Sequence, residues 1–173
     1  ERKGAEAGKA SRGMATPATI GETRTVVQRI MMPTDANPSG NVYGGSIQKY
    51  IDEVATIIAV RHTRTNVVTA SIDRMDFLAP MHVEDILILR AAINFTGRTS
   101  MEVGVRVEAE DPHTAHMVHA GSCYLTMVAL DAAGRPIAVP PVAPSNTEER
   151  AWFENGKRRR EQRLKLRERL GQD

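Results

Sequence analysis

Residues 33–59 read PTDANPSGNVYGGSIQKYIDEVATIIA, and the fold turns on this stretch. Pro33, Asp35, Asn37, Pro38, Ser39, Gly40 and Asn41 are turn formers in close succession, so the segment opens as a loop. After Gly44 and Gly45 the pattern changes. Ile47, Ile51, Val54 and Ile58 recur at i, i+4, i+7 and i+11, which puts them on one stripe of a helix. Gly45, Lys49, Asp52, Glu53 and Thr56 fall on a second stripe, and that one is polar. The helix is apolar enough to be buried, yet it carries a carboxylate two turns inside. A buried carboxylate is costly unless it is paired or used. Asp52 therefore has two readings, a solvated flank beside Lys49 and Glu53 or a working group.

The flanking segments read as strands. Thr25 to Met32 (TVVQRIMM) is β-branched and stops at Pro33. Asn66 to Phe77 (NVVTASIDRMDF) alternates, with Val68, Ala70, Ile72 and then either Arg74 or a bulge on one face. Thr69, Ser71, Asp73 and Met75 take the other. Asp85 to Phe95 and Ser100 to Glu108 flank Thr96-Gly97-Arg98-Thr99, a hairpin turn. Met101, Val103, Val105 and Val107 alternate there with Glu102, Gly104, Arg106 and Glu108. His116 to Leu130 is a long strand closed by a turn at Asp131-Gly134. Strand, loop, helix and four strands with short links make an α+β fold, one antiparallel sheet wrapped on one central helix. Such a sheet leaves apolar surface uncovered, so a symmetric dimer pairing sheet edges is expected.

The ends differ from this body in charge. In a chain of 173 residues with net charge +2, residues 25–147 carry −3, residues 1–24 carry +2 and residues 148–173 carry +3. Residues 1–23 are rich in Gly, Ala, Ser and Thr and read as a flexible extension. Residues 24–140 are the expected domain, and residues 141–173 an appendage. In the appendage, a proline-rich strap leaves the domain and leads to a solvated, basic helix capped by Asn146. The single cysteine, Cys123, excludes an internal disulfide framework and fits a cytoplasmic location. No apolar run approaches the ~20 residues of a membrane span.

Several residue groups could carry chemistry. Gly44 and Gly45 let a ligand approach the backbone where first-turn N–H groups point outward with the positive helix end, an oxyanion site. They also suit a turn needing positive φ. Asn37 is either a turn residue or a positioning amide. Asp52 lies about 10 Å along the axis from Gly45, too far for one reacting atom within one protomer, whereas two adjacent helices could bring them face to face. His113, His116 and His119 share a strand region but point to opposite faces, so no metal is expected. Cys123 reads as a small buried hydrophobe. The arginines from 158 onward come without an aromatic platform, so no specific nucleic acid is expected.

The motif N-x-x-G-x-x-x-G-G-x(6)-D-E from Asn37 to Glu53 is followed by Arg61-His62, by MDFLAPM (75–81) and by GRTS (97–100). Over residues 25–140 this order resembles the hotdog-fold acyl-coenzyme A thioesterases. It is most similar to the cytosolic type known as brain acyl-CoA hydrolase and its single-domain bacterial relatives. The resemblance implies a helix wrapped by a sheet, dimers with a continuous sheet, and hexamers built as trimers of dimers. It places the catalytic carboxylate at Asp52, the catalytic asparagine at Asn37 and the carbonyl-polarising amide at Gly45.

The implied reaction is hydrolysis of fatty acyl-CoA to fatty acid and coenzyme A, with no cofactor beyond the coenzyme A of the substrate. Asp52 serves as general base or nucleophile. Gly44, Tyr43, Arg74, Arg98, Thr99 and Ser100 are the implied substrate contacts, with Arg98 on phosphate and Tyr43 at the acyl channel. Alternatives are a hotdog hydratase, which typically has a histidine where this chain has Gly40, and a non-enzymatic acyl-CoA-binding or regulatory protein.

Overall fold

The structure is a computed structural model and describes residues 17–171. Its elements are β1 (Ala18–Thr19), β2 (Thr25–Ile30), α1 (Gly44–Thr63), β3 (Asn66–Ile72), β4 (Ile86–Thr96), β5 (Ser100–Glu110), β6 (Met117–Leu130), β7 (Val142–Ala143) and α2 (Thr147–Leu170). Five strands form one antiparallel sheet in the order β2-β4-β5-β6-β3, and β1 pairs β7 in parallel. This is the expected α+β hotdog arrangement.

The core lies between α1 and one face of the sheet. Ile47, Ile51, Val54 and Ile58 are all buried, with Tyr50, Ala55 and Ala59 beside them. They meet the inward residues of the strands, among them Met101, Val103, Val105 and Val107 of β5 and Cys123, Leu125 and Met127 of β6. Strand alternation thus sends the apolar set of β5 inward and leaves Glu102, Gly104, Arg106 and Glu108 on the outer face. The helix ends at Thr63, where Arg64 takes a left-handed conformation at φ 57° and returns its N–H to Val60.

β3 departs from the expected alternation. A bulge between Thr69 and Ser71 sets Thr69 opposite Met127 but Ile72 opposite Leu125. One extra residue moves Ile72 to the helix side and sends Asp73 to the outer face. The strand also ends at Ile72 rather than Phe77. Beyond it the chain stays beside β6 through backbone bonds at Asp73 and Leu78.

Both ends need correction as well. The flexible extension expected over 1–23 falls outside the described residues as far as residue 16. From Ala18 onward the chain belongs to the domain: Ile20 is fully buried, and Thr23 Oγ1 accepts from Ile93 N–H at 2.9 Å. The proline-rich strap does not leave the domain, because Ile137 and Val139 donate to Ala129 and Arg98 before β7 begins.

Nor is α2 solvated on every side: its last part, residues 164–170, is exposed as expected, but one face of the preceding turns docks on the sheet. It crosses the outer sheet face at Gly156, where a Cβ would come within 2.9 Å of Phe95 Cβ, so no larger residue allows this approach. Phe153 packs edge-on against Phe95, and Arg159 lies 3.6 Å over the Tyr124 ring. Glu102, 2% exposed, takes Arg159 at 2.6 Å and Arg163 at 2.8 Å, and Arg163 also reaches Asp73 at 2.6 Å. The bulge in β3 is what puts Asp73 within that network. At the start of α2, Asn146 Oδ1 accepts from Glu149 N–H, the expected cap.

Candidate active site

A buried carboxylate fixes the loop ahead of α1. Asp35 accepts hydrogen bonds from Met32 N–H at 3.0 Å and the Tyr50 hydroxyl at 2.8 Å. Burial favours its protonated form. The bonds from Met32 and Tyr50, with the charges of Arg29 and Lys49, outweigh burial and hold the carboxyl below the usual range. Burial and the same carboxylate push the Tyr50 hydroxyl up. The carbonyl of Asp35 accepts Tyr43 N–H and that of Met81 accepts Val42 N–H, so the loop meets the helix in one defined position.

Asn37 sits at the tip of that loop. Its Oδ1 accepts from Ser39 N–H at 2.9 Å and Asn41 N–H at 3.2 Å, the turn role expected of asparagine. Gly40 beside it has φ +82°, which requires glycine. The Asn37 side-chain NH2 has no hydrogen-bond partner among the described residues. No contact there joins Asn37 to Asp52.

The two glycines at the helix start part company. A Cβ at Gly44 would come 2.9 Å from Phe77 Cζ, so Gly44 is a packing requirement. A Cβ at Gly45 would meet nothing within 4 Å, so its backbone faces open space. Neither has positive φ, which removes the turn explanation. Tyr43 occupies the N-cap position without a side-chain bond, and no acidic residue lies in the first turn. The first N–H groups of α1 are therefore free to receive an anion.

Asp52 is half-buried on the flank of α1 that faces β3. Thr69 Oγ1 donates to its Oδ1 at 2.6 Å, leaving Oδ2 available to a water or a carbonyl carbon. Sequence reasoning missed Thr69. The alternation of β3 set Thr69 with Ser71 and Asp73 opposite Val68, Ala70 and Ile72, and nothing local marked that face as the one toward the helix. It also missed the Asp35–Tyr50 pair, whose members are 15 residues apart and become neighbours only through the loop.

The implied substrate contacts are spread out. Tyr43 is about half exposed (48%). Arg74 points into solvent and pairs with Asp76 at 2.9 Å. Arg98, Thr99 and Ser100 form the β4–β5 turn, where Gly97 N–H donates to Ser100 O at 2.8 Å. No group of three metal-ligating side chains exists among the described residues. His119 instead turns back on Gly121 O at 2.8 Å. Cys123 is fully buried, and burial, with Asp73 nearby, pushes its thiol up to about 11.

A cavity of 740 Å³ lies on the outer face between the sheet and α2, walled by residues such as Arg90, Gly104, Tyr124 and Trp152. Neither Asn37, Gly45 nor Asp52 borders it. The three candidate catalytic groups thus lie on an open surface of the protomer, with Asp52 and Asn37 separate.

Comparison with known proteins bears on this arrangement. The sequence model of the thioesterase superfamily matches residues 39–116. The "Uncharacterized acyl-CoA thioester hydrolase YkhA" of Bacillus subtilis is 40% identical over 138 residues, 79% of this chain and 80% of the relative. Among solved structures, an apo-hexameric acyl-CoA thioesterase superposes with TM-score 0.83 at 39% identity, covering 88% of this chain and 97% of the other. The acyl-CoA hydrolase of Staphylococcus aureus, solved with butyryl coenzyme A and coenzyme A, superposes with TM-score 0.83 at 35% identity, covering 91% and 96%. That hydrolase was also solved with alanine replacing, one at a time, an asparagine, an aspartate and a threonine. Their order and spacing along the chain are those of Asn37, Asp52 and Thr69.

Proposed function

The chain belongs to the acyl-CoA thioester hydrolases of the thioesterase superfamily, and from that membership we propose that it hydrolyses fatty acyl-CoA to free fatty acid and coenzyme A through Asp52. The observation that carries the assignment of the site is the Thr69–Asp52 hydrogen bond of 2.6 Å, which orients the carboxylate on an open flank of α1. The substitutions made in the Staphylococcus aureus hydrolase support the same trio.

In the proposed reaction the thioester carbonyl oxygen rests on the Gly45 N–H at the positive end of α1. Asn37 holds the water or the carbonyl through its free amide group. Asp52 takes a proton from the water as it attacks, or attacks the carbonyl carbon itself and forms a mixed anhydride that water then cleaves. The thiolate of coenzyme A leaves and is protonated. In either route Thr69 fixes Oδ1 and leaves Oδ2 to act.

The site is completed across a homodimer, with Asn37 and Gly45 of one chain meeting Asp52 of the other, and three dimers form a hexamer. The apolar residues exposed around it, Tyr43, Ile72, Phe77 and Leu78, support burial against a second copy. Hexameric relatives support the larger assembly. Gly44 serves by admitting Phe77, and Arg74, Arg98, Thr99 and Ser100 border the path of coenzyme A. The proposal includes a cytoplasmic location, which a buried, reduced Cys123 suits.

Thiol release from acyl-CoAs of graded chain length tests the activity. Release is expected from at least one chain length, and release from none would remove the thioesterase reading in favour of a binding or hydratase role. Chain sharing is tested by mixing Asn37→Ala with Asp52→Ala chains. Neither is active alone, and a heterodimer should recover one working site. No recovery would put each site within a single chain.

A further inference from the structure

We propose that Arg160 of α2, together with Arg98 of the β4–β5 turn, forms a two-guanidinium clamp for the phosphates of the coenzyme A nucleotide. This rests on the acyl-CoA reading above and adds to it a residue outside the matched family region. Several arginines are held by carboxylates: Arg159 and Arg163 by Glu102, Arg90 and Arg106 by Glu108, Arg74 by Asp76, Arg135 by Asp131. The guanidinium groups of Arg98 and Arg160 have no ion pair, hydrogen bond or aromatic partner among the described residues.

They are also neighbours through one glycine. Arg160 Nε lies 3.2 Å from where a Cβ of Gly97 would sit, and Ser100 Oγ lies 3.4 Å from the same point. The missing side chain at Gly97 is what lets the guanidinium lie against the turn that carries Arg98, Thr99 and Ser100. Two arginines at one turn, neither guanidinium paired with a carboxylate, would both be drawn to an anion that settles there. A phosphate suits it, because guanidinium forks and hydroxyl donors both match its oxygens. Arg160 is half-buried and held by a docked helix, so it loses less freedom on binding than a surface arginine would.

The reach is right for coenzyme A. Thr69, the partner of Asp52, is opposite Met127, which is opposite Met101, next to the turn. Two strand spacings and a few residues along the strand give roughly 12–16 Å from the carboxylate to the turn. The pantetheine arm, comparable to four extended residues, spans roughly 14 Å.

Equilibrium binding of coenzyme A, measured against pantetheine, reads the clamp without turnover, and steady-state kinetics then separates KM from kcat. Arg160→Ala is expected to weaken coenzyme A about tenfold and to leave pantetheine unchanged. KM for acyl-CoA should rise in step while kcat holds, and Arg160→Lys should recover part of the loss. Arg98→Ala should behave alike, and 3′-dephospho-coenzyme A identifies the phosphate held. A change below threefold for coenzyme A, or an equal loss for pantetheine, overturns the clamp while wild-type hydrolysis leaves the thioesterase reading standing. If wild type binds coenzyme A in the expected way yet hydrolyses no acyl-CoA, the clamp stands and the thioesterase reading falls.

Discussion

The two helices lie on opposite faces of one sheet and are held there by different physics. α1 is seated by an apolar stripe, and its polar flank is left free for chemistry. α2 is strongly polar and is seated by a buried glutamate, two arginines and a glycine that admits Phe95. Burial of branched side chains tolerates a vacant polar flank, because the stripe alone secures the helix. A helix docked through ion pairs has no such freedom, since each buried charge depends on its partner. The consequence is a division of labour in which α1 can change its polar residues at little cost in stability and α2 cannot.

The sharpest way to break that contrast is at Asp52. Asp52→Asn keeps an acceptor for the Thr69 hydroxyl but loses the basic, nucleophilic oxygen. Turnover should fall roughly a hundred- to ten-thousandfold while the melting temperature stays put. Thr69→Val, which removes one orienting hydrogen bond without changing shape, should cost about tenfold in kcat. Asp52→Asn protein that retains its activity would take the carboxylate out of the mechanism. A large loss of stability would show that the flank of α1 is structural after all.

The matching test on α2 is Glu102→Ala. It leaves Arg159 with only the Tyr124 ring and Arg163 with only Asp73, and a broken buried pair of this kind costs about 3 kcal/mol. For a chain of this size that is a drop of roughly 6–12 °C in melting temperature. Glu148→Ala, whose partner Arg24 is nearly half exposed, should cost under about 1 kcal/mol. Equal effects from the two substitutions would mean that α2 is held by packing at Phe153 and Gly156 rather than by charge.

Acid should loosen α2 and the loop ahead of α1 before it loosens the α1 stripe. Asp35, Glu108 and Glu149 all have carboxyl groups held below their ordinary range. In each case burial opposes ionisation, and hydrogen bonds together with the charge of nearby cations outweigh it. A group with a depressed folded-state pKa contributes stability above its unfolded pKa and loses it as pH falls through the folded value. The urea midpoint should therefore hold from neutrality to about pH 4, where unfolded carboxyls titrate, and decline below it. Glu149 accepts from Ser145 N–H and Oγ at the start of α2, so that end should lose hydrogen-exchange protection first. A midpoint that stays flat through pH 3 would show that these carboxylates stabilise nothing.

The same contrast explains what could be read from the sequence. α1, Asp52, the open backbone at Gly45 and the alternation of β5 were legible because each depends on residues close together in the chain. α2 was not. The residues that fasten Arg159 and Arg163 lie at Glu102, 57 and 61 positions earlier, and no local pattern announces a partner at that distance. The bulge in β3 was anticipated only as an option, and in a place further along. Its true position at Thr69/Ser71 depends on what β6 presents opposite, and it decides both the face of Ile72 and the salt bridge of Asp73.

The smallest expected effects lie at the two helix starts, where the contrast is most local. α2 is closed by Asn146, whose Oδ1 takes Glu149 N–H at 2.9 Å, and Asn146→Ala should cost about 1 kcal/mol in unfolding free energy. α1 is left open, with Tyr43 in N-cap geometry but offering no side-chain acceptor. Tyr43→Asp would supply one. Its carboxylate would sit at the positive end of α1 and take an N–H from Gly45 or Ser46, adding about 0.5 kcal/mol of stability. Those are the N–H groups proposed to hold the thioester oxygen, so the same substitution should depress kcat. A Tyr43→Asp variant that gains stability and keeps full turnover would show that the open helix start is not where the oxyanion forms. One that gains stability, keeps the assembly of the wild type and loses turnover would mean that α1 forgoes its cap because the substrate takes that place.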